Sequence, residues 1–136
     1  FTTAAIIRAA DPNWTDSARL APHSVSKLYY MAETERLFAV YESVFGELVM
    51  HIDGVRRGVV TWPNWSITTL IDTWAYWHTI WRAICCHQTQ VPAYHVLENL
   101  SEEQRRVLWG SQSYYRAFSL VNGGRHVETD LFEGLH

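Results

Sequence analysis

The sequence is poor in lysine and in charge of either sign, and both shortages narrow the classes of protein it can belong to. Lys27 is the single lysine among 11 basic residues, and 14 acidic residues give a net charge of −3 with neutral histidines. Without a basic stripe, no electrostatic argument favours binding to DNA or RNA, so we expect no nucleic-acid partner. Charged residues make up 18% of the chain and hydrophobic residues 48%, a balance that argues against disorder.

Cysteine is restricted to the adjacent pair Cys85 and Cys86. Neighbouring side chains in a helix point about 100° apart, so these thiols cannot readily form a disulfide with each other. We therefore expect reduced thiols in a reducing compartment. The chain begins at Phe1, which indicates either a trimmed chain or a mature chain from which a targeting peptide has been removed. On the second interpretation we expect a mitochondrial location, membrane-associated or on the matrix side.

Motifs for catalysis, cofactors and metals are missing from the sequence. Gly123-Gly124 follows a predicted helix instead of opening one, so it indicates a helix cap and not a phosphate loop. His78 and Cys85 are seven residues apart, about 10 Å along a helix, which is too far for shared zinc coordination. We predict no catalytic residue, no cofactor and no metal site, although a catalytic site assembled only by the fold stays open.

The hydrophobic spacing predicts an all-α fold in a single domain. A chain of 136 residues is long enough to bury one core without disulfides or a structural metal. Apolar residues at three- and four-residue steps indicate a small bundle of helices. The three main helices are expected at about 24–53, 65–87 and 102–121.

Local signals set the expected helix ends. Gly54 stands where a helix C-cap is expected, and residues 101–104 have the form of a capping box. Asp11-Pro12 favours a short helix from Pro12 to about Leu20, within an N-terminal arm at 1–21. Residues 122–136 show no clear period and are expected to form an irregular C-terminal tail.

The segment 65–87 is open to three interpretations: a transmembrane helix, a core helix, or a helix that contacts a partner or a membrane surface. Its length approaches a membrane span, and tryptophans at its ends and on its face resemble interfacial anchors. Asp72 and Arg82 argue against spanning, because a central charge costs about 2.5 to 3.5 kcal/mol on insertion scales. The core helix is the favoured interpretation, with contact to a membrane surface or lipid left open.

Aromatic side chains outnumber the sites at which one small bundle can bury them. Trp109 is predicted to lie beside arginines on an otherwise polar helix face, which is typical of an interface hot spot. Other aromatic residues fall at helix boundaries or in the tail. The predicted partner interface comprises Trp14, Trp62, Trp65, Arg105, Trp109, Arg116 and Phe132.

Together these features favour a non-catalytic accessory subunit of a large multiprotein assembly, whose partners are other protein subunits. A mitochondrial inner-membrane complex, of the respiratory chain or ATP synthase, is the host they favour. One alternative is a helical ligand-binding or catalytic domain with a pocket of Trp74, Trp77, His78 and Trp81. A second alternative is a self-assembling coat or scaffold protein.

Overall fold

The fold mixes helices and strands, so the all-α prediction is wrong. The computed structural model describes residues 1–14, 20–89 and 95–135. Within this part the α-helices are α1 (Thr2–Ala10), α2 (Glu35–Phe45), α3 (Trp77–Cys85) and α4 (Glu102–Trp109). The strands are β1 (Lys27–Met31), β2 (Val49–Ile52), β3 (Val55–Gly58), β4 (Thr69–Asp72) and β5 (Ser111–Ser119). Short 3₁₀ turns lie at Asn64–Ser66, Trp74–Tyr76 and His95–Asn99.

The strands form two antiparallel sheets. In the larger sheet β5 lies in the middle, with β1 on one side and β4 on the other. Tyr30 pairs with Tyr115 and Thr69 pairs with Tyr114, while the register shifts between Leu28 and Tyr29. The smaller sheet is the hairpin of β2 and β3.

The first predicted helix, 24–53, is replaced by β1, α2 and β2. Thr34 caps α2 by accepting from the Leu37 amide, and Gly46 ends the helix with φ 79°. Asp53 and Gly54 both have positive φ, 52° and 76°, as a type I′ hairpin turn requires. The glycine that we interpreted as a helix cap therefore belongs to the turn between β2 and β3, and Asp-Gly is a strong hairpin signal.

The second predicted helix, 65–87, is helical only in its second half. It begins with a 3₁₀ turn, continues as β4, and becomes α3 at Trp77. The carboxylate of Asp72 accepts from the Trp74 amide at 2.9 Å, which turns the chain out of the strand. Thr69, Leu70 and Ile71 favour a strand. An apolar run this short is compatible with both the helical and the strand period, so periodicity alone could not identify the strand.

The third predicted helix, 102–121, divides at Gly110 into α4 and β5. The capping box is confirmed, because Ser101 accepts from the Gln104 amide while the Gln104 side chain accepts from the Ser101 amide. After Gly110, the aromatic residues of β5 favour a strand. Tyr114 and Phe118 are four residues apart, a spacing that helices and strands both allow, so periodicity alone misassigned them.

Both termini differ in detail from the sequence prediction. The N-terminal helix lies at Thr2–Ala10, before Pro12 instead of after it. Pro12 and Asn13 form a turn, and residues 15–19 of the expected helix lie outside the described residues. The described part of the tail, 122–135, has turns and one bridge, between Thr69 and Glu128.

The buried apolar core lies on the helical side of the molecule. Its cluster consists of Leu97, Leu100, Leu108 and Trp109. Half-buried residues of α2 and α3, including Leu37 and Ile80, pack against it. The core therefore joins α2, α3 and α4, and the larger sheet needs other means of attachment.

Trp109 and Trp65 form a matched pair for testing this core, since they are 5% and 86% exposed. Trp109→Ala should lower the free energy of unfolding by about 3 to 5 kcal/mol, because it removes a large ring from the core. Trp65→Ala should change it by no more than about 0.5 kcal/mol. Urea unfolding followed by circular dichroism measures both, and equal losses would place the core elsewhere.

Candidate functional site

Glu128 is the centre of the most concentrated group of polar contacts among the described residues. Its side chain is fully buried beneath the larger sheet, accepts hydrogen bonds from four side chains and forms an ion pair with a fifth, Arg116. We call this group the carboxylate cluster. It consists of Glu128 with Lys27, Tyr29, Thr69, Arg116 and Asn122.

Each oxygen of Glu128 has its own set of donors. Oε1 accepts from Lys27 Nζ at 2.6 Å and from the Asn122 side-chain amide, and it forms an ion pair with Arg116 Nη1 at 2.9 Å. Oε2 accepts from Thr69 Oγ1 at 2.7 Å and from the Tyr29 hydroxyl at 2.9 Å. Both carboxylate oxygens are thus hydrogen bonded on a buried side chain, as buried polar groups require.

Strand pairing brings these donors together. Lys27 and Tyr29 are two residues apart on β1 and so lie on one face of the sheet. Tyr29 pairs with Arg116 on β5, and Thr69 of β4 pairs with Tyr114 on the same face. We call this the cluster face. The backbone of Glu128 is fixed against β4 by bonds with the Thr68 carbonyl at 2.9 Å and the Leu70 amide at 2.8 Å.

The hydrogen bonds outweigh burial in setting the charge of Glu128. Burial alone would raise the pKa of this carboxyl, but the bonds from Lys27, Asn122, Thr69 and Tyr29 hold its pKa well below its usual range. Burial would lower the pKa of Lys27, yet bonds to Glu128 and Tyr29 leave that pKa raised. Both groups therefore stay ionised near neutral pH, so Glu128 holds no proton to donate and Lys27 is no free amine nucleophile.

A second group, the aromatic stack, lies among the helices. The ring centroids of Trp77 are 5.9 Å from Trp74 and 6.2 Å from Trp109, and Trp81 is 5.5 Å from Trp109. The stack comprises these four tryptophans. Cations lie over two of its rings, with the guanidinium of Arg106 4.3 Å from the Trp74 centroid and that of Arg105 5.1 Å from the Trp77 centroid. Stacked aromatic rings and cation–π contacts add to burial in holding α3 against α4.

The residues of the alternative pocket come together at this stack. Trp77, His78 and Trp81 line a cleft of about 180 Å³, which Trp109 also lines. Trp74 is not among the lining residues but stacks on Trp77. His78 is exposed to solvent and stacks on Trp77 with centroids 3.5 Å apart.

The residues of the predicted partner interface lie in separate places. Trp65, Phe132 and Trp14 are exposed by 86%, 62% and 51%, while Trp62 is half-buried and stacks on Tyr115 with centroids 5.2 Å apart. Three of the seven are therefore open to a partner, and one is partly covered.

The other three predicted interface residues have contacts within the fold. Trp109 belongs to the core, so the exposed helix face on which we placed it does not exist. Arg105 lies over the Trp77 ring at 5.1 Å and donates to the Glu98 carbonyl at 3.0 Å. Arg116 belongs to the carboxylate cluster.

Residues 1–14, 20–89 and 95–135 also bear on metal ligation and on membrane crossing. In these ranges no three or more His, Cys, Asp or Glu side chains are placed to hold a metal ion. In the same ranges no helix has the length and apolar character to cross a membrane. Cys85 and Cys86 are free thiols, and Cys86 is exposed.

Comparison of the chain with protein-family models, with curated proteins and with solved structures found no significant match. The mitochondrial and respiratory-chain assignments gain no support from these comparisons or from the fold.

Sequence reasoning missed the carboxylate cluster. Lys27, Tyr29 and Thr69 lie in segments that we assigned to helices, and Glu128 lies in the tail that we expected to be irregular. The Lys27-Leu28-Tyr29-Tyr30 alternation was an available signal for a strand with a polar face. The partner of that face is 99 residues away from Tyr29, beyond the reach of any local pattern.

The lowered pKa of Glu128 predicts acid sensitivity of the fold. Because the folded-state pKa lies below the ordinary 4.5, the carboxylate stabilises the fold above pH 4.5 and this contribution is lost as the pH falls below that value. At pH 7, Glu128→Gln should cost about 3 to 5 kcal/mol, because it leaves buried cations unpaired. Urea unfolding between pH 7 and strongly acidic pH should show the wild-type advantage shrinking only below about pH 4.5. If the difference in unfolding free energy between wild type and Glu128→Gln stayed constant with pH, this role of Glu128 would be contradicted.

Proposed function

We propose that this chain is a non-catalytic component of a larger protein body and that it packs permanently against a partner protein. The observation that carries the proposal is the amount of exposed surface. The chain exposes 10278 Å², whereas a folded monomer of 15.8 kDa is expected to expose about 7300 Å². The surplus is what a partner would cover.

The surplus includes large apolar side chains. Trp65, Val60 and Leu120 are mostly exposed, and the fully buried apolar residues among those described are only Ala32, Leu97, Leu100, Leu108 and Trp109. Scattered exposed apolar residues are ordinary on a monomer, but so many beside so small a core are not. This imbalance between exposed and buried apolar residues supports a partner interface, and not merely an uneven monomer surface.

The sheet face opposite the cluster face is the best-placed docking surface. Tyr30 pairs with Tyr115, and Leu70 pairs with Ser113, so alternation puts these side chains on that face. Tyr30 and Leu70 are more than two-fifths exposed, and Trp62 covers Tyr115. A sheet with one covered face and one partly open aromatic face is typical of a layer that needs a second layer.

The size of the surplus favours a permanent partner over a transient one. A standard interface buries about 800 Å² on each partner, or about 1600 Å² in total, whereas obligate interfaces bury several thousand Å² in total. The surplus of about 3000 Å² on this chain alone exceeds one partner's share of a standard interface and falls in the obligate class. The chain would then have little stability as an isolated monomer.

Purification of the chain alone tests the proposal. We expect concentration-dependent association in light scattering and a broad thermal transition, because uncovered apolar surface seeks any partner. Trp65→Ser should at least halve the associated fraction without changing the far-ultraviolet circular dichroism. The matched control is Trp109→Ser, which should instead reduce folding because that ring is in the core.

The outcome also separates the alternatives. A monodisperse monomer that melts cooperatively would contradict an obligate component. A discrete oligomer of this chain would identify the partner as a second copy and favour the self-assembling alternative. Association into particles of no fixed size, which disappears when a different protein subunit is added, supports an assembly of unlike chains.

A further inference from the structure

The carboxylate cluster resembles a binding site whose ligand is part of the same chain. Its donors converge on one carboxylate, and those on β1, β4 and β5 are held by strands independently of Glu128. Lys27 is 3% and Arg116 is 9% exposed, so both cations are buried with the anion they bind. Such an arrangement is a preorganised receptor for one planar carboxylate.

The segment that supplies the carboxylate depends on the cluster for its attachment. Residues 125–135, which we call the C-terminal strap, contain no helix or strand in their described structure. Besides the backbone bonds of Glu128, the strap is held by Lys27 donating to the Glu133 carbonyl at 2.8 Å and by Tyr29 donating to the Leu131 carbonyl at 3.3 Å. The donors that bind Glu128 therefore also position the rest of the strap.

Two glycines precede the strap, and the carbonyl of Gly124 accepts from Arg116 Nη2 at 3.3 Å. Gly124 has φ 86°, a conformation that favours glycine, and a side chain at Gly123 would meet open space. The strap also exposes apolar residues, since Val127 and Phe132 are both more than two-fifths exposed. Its packing contributes little beyond the contacts of Glu128.

We propose that the five donors form a carboxylate-binding site, that Glu128 occupies it from within the chain, and that the strap is displaced when this side chain leaves. The ligand class is a small organic monocarboxylate, because the site offers hydrogen bonds to both oxygens of one carboxylate. A monocarboxylate balances one of the two buried cations, as Glu128 does. This inference is independent of the proposed partner.

The test removes the internal ligand and supplies a free one. Glu128→Ala should lower the melting temperature and speed trypsin cleavage after Arg125, because the strap loses its anchor. Sodium formate should then bind the vacated donors, raising the melting temperature by about 4 °C or more at roughly 0.3 M. Formate should also slow the cleavage after Arg125 at least twofold.

Matched controls separate binding from general salt effects. Sodium chloride at equal ionic strength supplies an anion without carboxylate geometry and should not reproduce the rise. Glu133→Ala lies in the same strap and removes an exposed side chain whose ion pair is with His126 at 3.4 Å. It should leave the melting temperature and the response to formate as in the wild type.

The proposal is overturned if formate and chloride act equally on Glu128→Ala. If that variant does not fold in chloride, formate is added during refolding, and recovery of the near-ultraviolet circular dichroism signal supports the site. Failure of formate to restore folding overturns it. If cleavage after Arg125 is unchanged in a folded Glu128→Ala variant, the proposed displacement of the strap is overturned.

Discussion

The buried carboxylate of Glu128 is the constraint that ties the C-terminal strap to the larger sheet. Side chains from all three strands meet the strap at this one group, and among the described residues no apolar cluster of similar extent lies between them. Removing one partner from a buried ion pair is costly because the remaining charge is left without compensation. The cluster thus adds a few directional side-chain contacts to the backbone pairing of the strands, and these contacts fix the strap against the sheet.

The helical side uses a different kind of stabilisation. There the aromatic stack and the leucines around Trp109 join α2, α3 and α4 through packing, which tolerates small displacements better than a hydrogen-bonded ion pair does. Arg106 lies over Trp74 and Arg105 over Trp77, so cation–π contacts add to this packing. The molecule therefore combines a small apolar core with a polar one, and neither covers the open face of the sheet.

How well the sequence predicts each feature depends on how far apart in the chain the interacting residues lie. The capping box at Ser101 was predictable because its partners are three residues apart, and it is present. The division of 102–121 into α4 and β5 was not, because Tyr114 and Phe118 satisfy both periods and only pairing with β1 and β4 decides between them. The aromatic pocket residues lie within eight residues of one another in the chain, whereas Glu128 meets Lys27 across 101 residues.

The carboxylate cluster and the apolar core contribute differently to the larger sheet. A hydrogen-bonded ion cluster fixes the relative positions of strands but buries little apolar area, so it adds specificity more than hydrophobic stabilisation. An aromatic face containing Tyr30 and Leu70 then remains beside solvent, where its burial would stabilise the fold by about 25 cal/mol for each Å² covered. Because the cluster already aligns the strands on one face, the partner that we propose would pack on the other face, where Tyr30 and Leu70 remain partly exposed.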